Sequence, residues 1–445
     1  MNKLNALIQE KLASPQDTDA LLVLEDGTVF RGSSCGVPGE VFGEICFNTS
    51  MSGYTEVLSD PSYAGQIITM TYPQIGNYGI NYDDLQADHL ALSALVVHKM
   101  CATPSSWRCD KSLPEFLAEQ NIVAIENIDT RSLVRHIRDR GAQKAVISTL
   151  DLNEDSLKAK VLESPSIVGQ NLVATLSCKE PYHFNNKNSR ELILSEGQQR
   201  RYKVIAYDCG IKRSILQGLS CIGCDVEVVP WDTSAEEVLL AQPDGVFMSN
   251  GPGDPDAVVE TYHQVEKLLG KVPLFGICLG HQMMCKAAGA TIEKLKFGHR
   301  GGNHPVMNLL TRRVEITAQN HGFGLLFPSL GNLAPKYCGC HTKHEDDLRF
   351  WTKTEHLPVV DNKKFGRIQL THVNLNDGSA EGIAFLDIPA FSVQYHPEAS
   401  PGSTDAHYLF SSFARLMNGE KNYLDIDITK NRLSGWNYTC EKGGE

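Results

Sequence analysis

The chain has no run of 18 apolar residues, so it carries no transmembrane helix. It also lacks any excess of positive charge. Asp and Glu number 53 against 41 Lys and Arg, a formal net charge of −12 over 445 residues. The two signs are interspersed, which argues against nucleic acid or an anionic membrane surface as a partner. No Gly-x-x-x-x-Gly-Lys-Ser/Thr loop is present to cradle nucleotide phosphates. Residues 1–19 lack the apolar core of a signal peptide. Glu10, Asp17 and Asp19 make them too acidic for a transit peptide, so they read as a polar N-terminal extension. A disulfide framework is missing too. The 13 cysteines are odd in number and scattered, which implies free thiols in a reducing, cytoplasmic compartment. Cys221-x-x-Cys224 has a redox or zinc spacing but no second pair nearby, and it reads as ordinary.

What is there is more specific. Pro273-Leu274-Phe275-Gly276-Ile277 reads as a buried strand. It runs into Cys278-Leu279-Gly280-His281-Gln282, the start of a helix. Gly276-x-Cys278-x-Gly280 is a nucleophile elbow, with small residues on both sides so that the backbone can turn sharply. The sulfur then sits at a helix N-terminus, where the dipole favours thiolate. The Leu279 N–H is placed to donate to an oxyanion. Cys285, further along the same helix, reads as core.

A thiol nucleophile needs a base, and the base needs a group to orient it. Far downstream, Phe391-Ser392-Val393-Gln394-Tyr395-His396-Pro397-Glu398 supplies both. A β-prone run ends in a histidine, and a carboxylate follows two residues later. Pro397 fixes the backbone between them. A Cys278–His396–Glu398 triad is the expectation.

These motifs resemble the class I, triad-type glutamine amidotransferases. Ser249-Asn250-Gly251-Pro252-Gly253-Asp254-Pro255 is similar to that family's oxyanion loop. Four further motifs resemble the small, glutaminase subunit of carbamoyl-phosphate synthetase. They are residues 47–54 (FNTSMSGY), 60–67 (DPSYAGQI), 128–131 (IDTR) and 207–213 (YDCGIKR). The resemblance covers residues 20–418. It implies hydrolysis of L-glutamine to glutamate and ammonia, with Gly251 and Leu279 as oxyanion donors. The glutamine-binding positions it implies are Ser50, Gly251, Gly253, Leu279, Gln282, Asn320, Gly322 and Phe323. Gln282 lies one helical turn past the nucleophile and can face the same pocket. His281 and His321 are expected to be structural, because His396 already has its carboxylate.

The same resemblance implies a heterodimer with a large synthetase subunit. That partner uses ATP and Mg to make carbamoyl phosphate from bicarbonate and the ammonia, for pyrimidine and arginine biosynthesis. No cofactor or metal is expected in this chain. Two alternatives are another class I amidotransferase subunit and a catalytically silent regulatory subunit. The region around Ser50 argues against the first, and the retained triad residues argue against the second.

The expected fold class is α/β. An N-terminal β-rich α/β domain spans 20–177, with a hairpin over 21–30 and helices over 114–121 and 130–140. A polar linker follows over 178–200. A doubly wound amidotransferase domain with a mostly parallel central sheet spans 201–418. Residues 327–367 read as a surface insertion, removable without harm to the triad. That segment holds Cys338, Cys340, His341 and His344, a set that could suggest zinc. The spacing lacks a Cys-x-x-Cys pair and acidic residues follow it, so no metal is expected there. Residues 419–445 form a tail with no assigned role.

Overall fold

The computed structural model describes residues 19–185, 202–339, 343 and 347–426. The N-terminal extension and most of the linker, with Cys340, His341, His344 and the end of the tail, lie outside the described residues.

In the first domain seven strands close into a barrel. The chain enters through the hairpin Asp19–Leu24 and Val29–Ser34, joined at the Asp26-Gly27 turn. Glu40–Asn48, Gln66–Met70, Ala94–Val96, Val123–Glu126 and Gln143–Ser148 complete the ring. Closure leaves no open edge. Leu22, Leu24, Ile45, Ile67, Val96, Ile125 and Ile147 fill its interior. The helix Thr130–Arg140 begins where the Asp129 carboxylate accepts from the Ser132 N–H. Leu133 and Ile137, one turn apart, bury its inner face, and its arginines are exposed.

The second domain is built on a 12-stranded sheet. Its parallel centre is Cys224–Pro230, Tyr202–Asp208, Gly245–Met248, Leu274–Ile277 and Ala390–Val393, in that spatial order. Gly245–Met248, Leu274–Ile277 and Ala390–Val393 are wholly buried and almost wholly apolar, as strands covered on both faces must be. Helices Arg213–Cys221, Ala235–Leu240, Val259–Leu268, Leu279–Ala287 and Tyr408–Met417 accompany it. Beyond Ala390–Val393 the sheet turns antiparallel. Ala380–Phe385, Arg313–Leu325, Ile292–Asn308, Gly366–Asn374, Val359–Asn362 and Asn332–Leu333 extend it to the far edge. Sequence reading did not anticipate this antiparallel half.

Two expectations need correction. Residues 327–367 are not a removable surface loop. Val359–Asn362 is a strand of the main sheet, and Phe327, Leu330, Cys338, Leu348, Trp351 and Val360 join the hydrophobic core. Trp351 is fully buried, so excision would open the core to water. The start of the linker is also ordered by packing. Tyr182–His183 pairs antiparallel with Cys224–Pro230, and the Cys178 N–H donates to Asp208. The tail begins folded, with Tyr423 and Ile426 buried and Tyr423 ring-packed on Phe391. No helix among the described residues is long and apolar enough to cross a membrane.

Candidate active site

Three strand ends converge. Cys278 follows directly on Leu274–Ile277, His396 follows Ala390–Val393, and Gly251 follows Gly245–Met248. All three are at carboxyl ends of parallel strands, where open α/β sheets place their sites. Cys278 has φ 54 and ψ −105, a conformation that costs a non-glycine residue free energy. The surrounding packing enforces it. A Cβ on Gly280 would sit 2.2 Å from the Met248 carbonyl oxygen, and one on Gly276 would be 2.7 Å from the Met284 sulfur. Only glycine lets the elbow close so tightly. Cys278 is the residue before the helix Leu279–Ala287, and its sulfur approaches the Asn320 carbonyl oxygen at 3.6 Å. The N–H groups of Gly251 and Leu279 take no acceptor among the described residues, which leaves both free for an oxyanion.

His396 is anchored by its own backbone, which donates to the Ala318 carbonyl at 2.9 Å. Its Nδ1 meets Glu398 Oε1 at 2.6 Å, and its Nε2 has no hydrogen-bond partner among the described residues. Burial acts against the imidazolium, but Glu398 and the Cys278 sulfur outweigh it and carry the His396 pKa up to about 10. Burial likewise opposes the Glu398 anion. Lys212 and His396 overcome it and hold the carboxyl well below its ordinary value. Lys212 was not anticipated. Its ammonium is 2.9 Å from Glu398 Oε1 and 2.7 Å from the Ser400 carbonyl, fully enclosed.

Two cavities flank the triad. The first is lined by Ser62, Gly251, Gly253, Cys278, Gln282, Arg300, Asn320, Gly322 and Phe323, among others. It brings together the expected pocket positions with two exceptions. The first is Leu279, which packs in the core beside it. The Gln282 amide nitrogen donates to the Phe323 carbonyl at 3.0 Å and to Gln394 at 3.1 Å. The second exception is Ser50, which lies in the other cavity with Asp60, Lys212 and His396. Ser62 takes its place in the first. The turn Pro61–Tyr63 carries it there, capped by Asp60, whose carboxylate accepts from the Ser62 N–H at 2.9 Å. Asp-Pro-Ser is an Asx-turn signature, so the turn itself is legible in residues 60–62, though not its place in the pocket.

The seam between domains runs through the site. Asn320 donates to the Asp60 carboxylate at 2.8 Å, and Asn250 donates to Ser62 Oγ at 2.9 Å. His281 and His321 have no room to act as bases. Burial lowers the His281 pKa to about 3, and its Nδ1 meets Ser392 Oγ. Burial also depresses His321, whose ring nitrogens face the Phe323 and Gln319 oxygens. His299, His321 and Glu381 bring ligand-type atoms within 4.8 Å of one another. Those groups are engaged by Asp377, Gln319, Phe323 and Asn374. Among the described residues Cys338 meets only carbonyl oxygens, those of Leu357 and Val359. Cys221 and Cys224 are both free thiols.

The elbow cysteine, its histidine–glutamate pair and the doubly wound sheet define a class I glutamine amidotransferase. Residues 205–347 and 339–416 match the family described as glutamine amidotransferase class-I. Residues 22–147 match the carbamoyl-phosphate synthase small chain, CPSase domain. The carbamoyl phosphate synthase small chain of Syntrophotalea carbinolica is 50% identical over 408 residues, covering 91% of this chain and 98% of its own. That of Thermotoga maritima is 46% identical over 404 residues, covering 89% and 98%. A pyrimidine-specific small chain from Halalkalibacterium halodurans is 45% identical over 401 residues, covering 90% and 98%. The chain belongs to the carbamoyl phosphate synthase small chain family.

Proposed function

We propose that this chain hydrolyses the side-chain amide of L-glutamine at Cys278 and hands the ammonia to a large synthetase chain. One observation carries the reading: a buried Cys278–His396–Glu398 array opens on a pocket beside two unused backbone donors. The Cys278 thiolate attacks the amide carbon. The oxyanion is met by the Gly251 and Leu279 N–H groups, each worth about 3 kcal/mol of barrier. The imidazolium of His396 gives its Nε2 proton to the departing nitrogen, and ammonia leaves a γ-glutamyl thioester. The neutral imidazole then takes a proton from water as the water oxygen attacks the thioester. Collapse releases glutamate and restores the thiolate–imidazolium pair. Glu398 keeps the proton on Nδ1 throughout and never receives it.

Making carbamoyl phosphate from bicarbonate requires ATP, and no phosphate-cradling loop occurs in this sequence. The ATP and Mg chemistry therefore belongs to the partner, in the cytoplasm. A pyrimidine role follows the name of the Halalkalibacterium relative. The test measures glutamine hydrolysis and carbamoyl phosphate together, with the chain alone and mixed with a large chain. Slow hydrolysis alone, faster hydrolysis in the complex and carbamoyl phosphate only in the complex are expected. Carbamoyl phosphate made by this chain alone would sink the two-chain reading.

A further inference from the structure

We infer that Arg300 is the receptor for the α-carboxylate of the substrate, and that it makes the site specific for a free amino acid. The inference rests on the glutaminase reading and names a contact within the same pocket.

Arg300 is 3% exposed, on the strand Ile292–Asn308, directly across the ladder from Asn320. The ladder slips on either side of it, between Lys294 and His299 and again between Gly301 and His304. These irregularities isolate a short stretch that presents Arg300 to the cavity holding Cys278 and Gln282. A guanidinium has five N–H donors. Here Nη1 donates to the Phe297 carbonyl at 2.8 Å, while Nε is sealed from solvent without a partner. Nη2 makes no hydrogen bond, and no carboxylate forms an ion pair with the group among the described residues. Its neighbours are instead two glycines. A Cβ on Gly298 would lie 2.6 Å from Nη1, and one on Gly322 would lie 3.2 Å from Nη2. The two bare backbones leave the planar fork open toward the pocket.

A buried cation without an anion is strongly unfavourable. Another enclosed cation at this site, Lys212, has Glu398 against it. Arg300 has no carboxylate partner among the described residues, and the Cys278 sulfur in the same cavity is already matched to His396, so a ligand carboxylate is the anion that fits the guanidinium. Glutamine carries one anionic group, its α-carboxylate, once its neutral amide is delivered to Cys278. A carboxylate matches the guanidinium fork with two parallel hydrogen bonds, which a lysine does not reproduce. A peptide-bound glutamine has no α-carboxylate and would leave the guanidinium unpaired.

The test uses the full chain assembled with a large chain. Ammonia release is measured from L-glutamine and from 4-aminobutanamide, which is glutamine without its α-carboxylate. The second compound is also titrated as a competitive inhibitor. In Arg300→Gln, kcat/KM for glutamine should fall about 100-fold, mainly through KM, as for loss of a charged hydrogen-bonded contact. The 4-aminobutanamide values should change by no more than about threefold. Arg300→Lys should lose about tenfold on glutamine only. It supplies the same comparison if Arg300→Gln does not fold. Equal losses on both compounds would make Arg300 merely structural and overturn the inference, as would an unchanged KM for glutamine. A wild-type complex that hydrolyses no glutamine overturns the glutaminase reading itself, and this inference with it.

Discussion

The two cavities on either side of the triad are built from different chemistry. The pocket on the sulfur side is walled by glycines, amides, Ser62 and the Arg300 guanidinium. The cavity on the imidazole side is walled by Asp60, Lys212, Ser50 and His396. The first offers hydrogen-bond donors and open backbone, which suits recognition of a small zwitterion. The second holds charged groups whose partners are within the protein, Lys212 with Glu398 and Asp60 with Asn320, beside the open His396 Nε2. Asp60 serves both. Its Oδ1 caps the turn that carries Ser62, and its Oδ2 takes the Asn320 amide that borders both cavities. Binding and proton handling are thus separate in space and joined through one residue of the N-terminal domain.

That division can be broken from the charged side first. Lys212→Met removes the cation beside Glu398 and leaves a buried carboxylate with one partner fewer. We expect kcat to fall about 100-fold with a much smaller change in KM. The sign of the pH effect is fixed. Without Lys212 the Glu398 carboxyl becomes easier to protonate, so the acid limb of the kcat/KM profile should move to higher pH. Lys212→Arg should restore part of the limb. An acid limb that stays in place would remove Lys212 from the proton machinery.

The serines give a finer test. Ser62→Ala should raise the KM for glutamine about tenfold, the cost of one buried hydrogen bond. Ser50→Ala should leave KM near wild type, because Ser50 faces the other cavity. The reverse order would show that the cavities have been assigned the wrong way round. The smallest expected effect lies outside both cavities. His299 is held between Asp377 at 2.7 Å and Glu381 at 3.5 Å, with the His304 and His321 rings against it. Burial opposes its charge, but the two carboxylates raise its pKa from 6.5 to about 9. A raised histidine stabilises the fold fully below its unfolded pKa, and that stability is lost as pH rises through the folded value. Between about pH 6.5 and 9 the wild type should lose about 2 kcal/mol relative to His299→Gln. Denaturant melts across that range would read it. Parallel pH curves for the two proteins would contradict the assignment.

How much of this was visible in the sequence depended on the range of the interaction. The elbow, the His-Pro-Glu turn, the parallel strands and the helix Thr130–Arg140 are local patterns, and each was readable from its own residues. Which of Ser50 and Ser62 lines the sulfur-side pocket depends on how the barrel meets the second domain. No periodicity reports that contact. Lys212 lies within the motif at 207–213, but its role depends on Glu398, 186 residues away in the chain. Residues 327–367 were read as surface because the acidic run at 345–347 dominated the local composition. Trp351 and the apolar pair Val359-Val360 were the opposing signal, and they are what the core uses. The antiparallel half of the sheet was missed because long bulged strands such as Ile292–Asn308 do not alternate cleanly between apolar and polar residues.

The central claim is that the Cys278 sulfur is the nucleophile, and its ionisation is what the flanking groups serve. Cys278→Ser keeps the shape of the elbow but substitutes a hydroxyl of far higher pKa. The direct measurement is carbamoyl phosphate synthesis by the complex containing this variant, driven in turn by glutamine and by free ammonia. The account predicts that the glutamine-driven rate falls by at least about a thousandfold while the ammonia-driven rate stays near wild type. A serine variant that uses glutamine at close to the wild-type rate would contradict it.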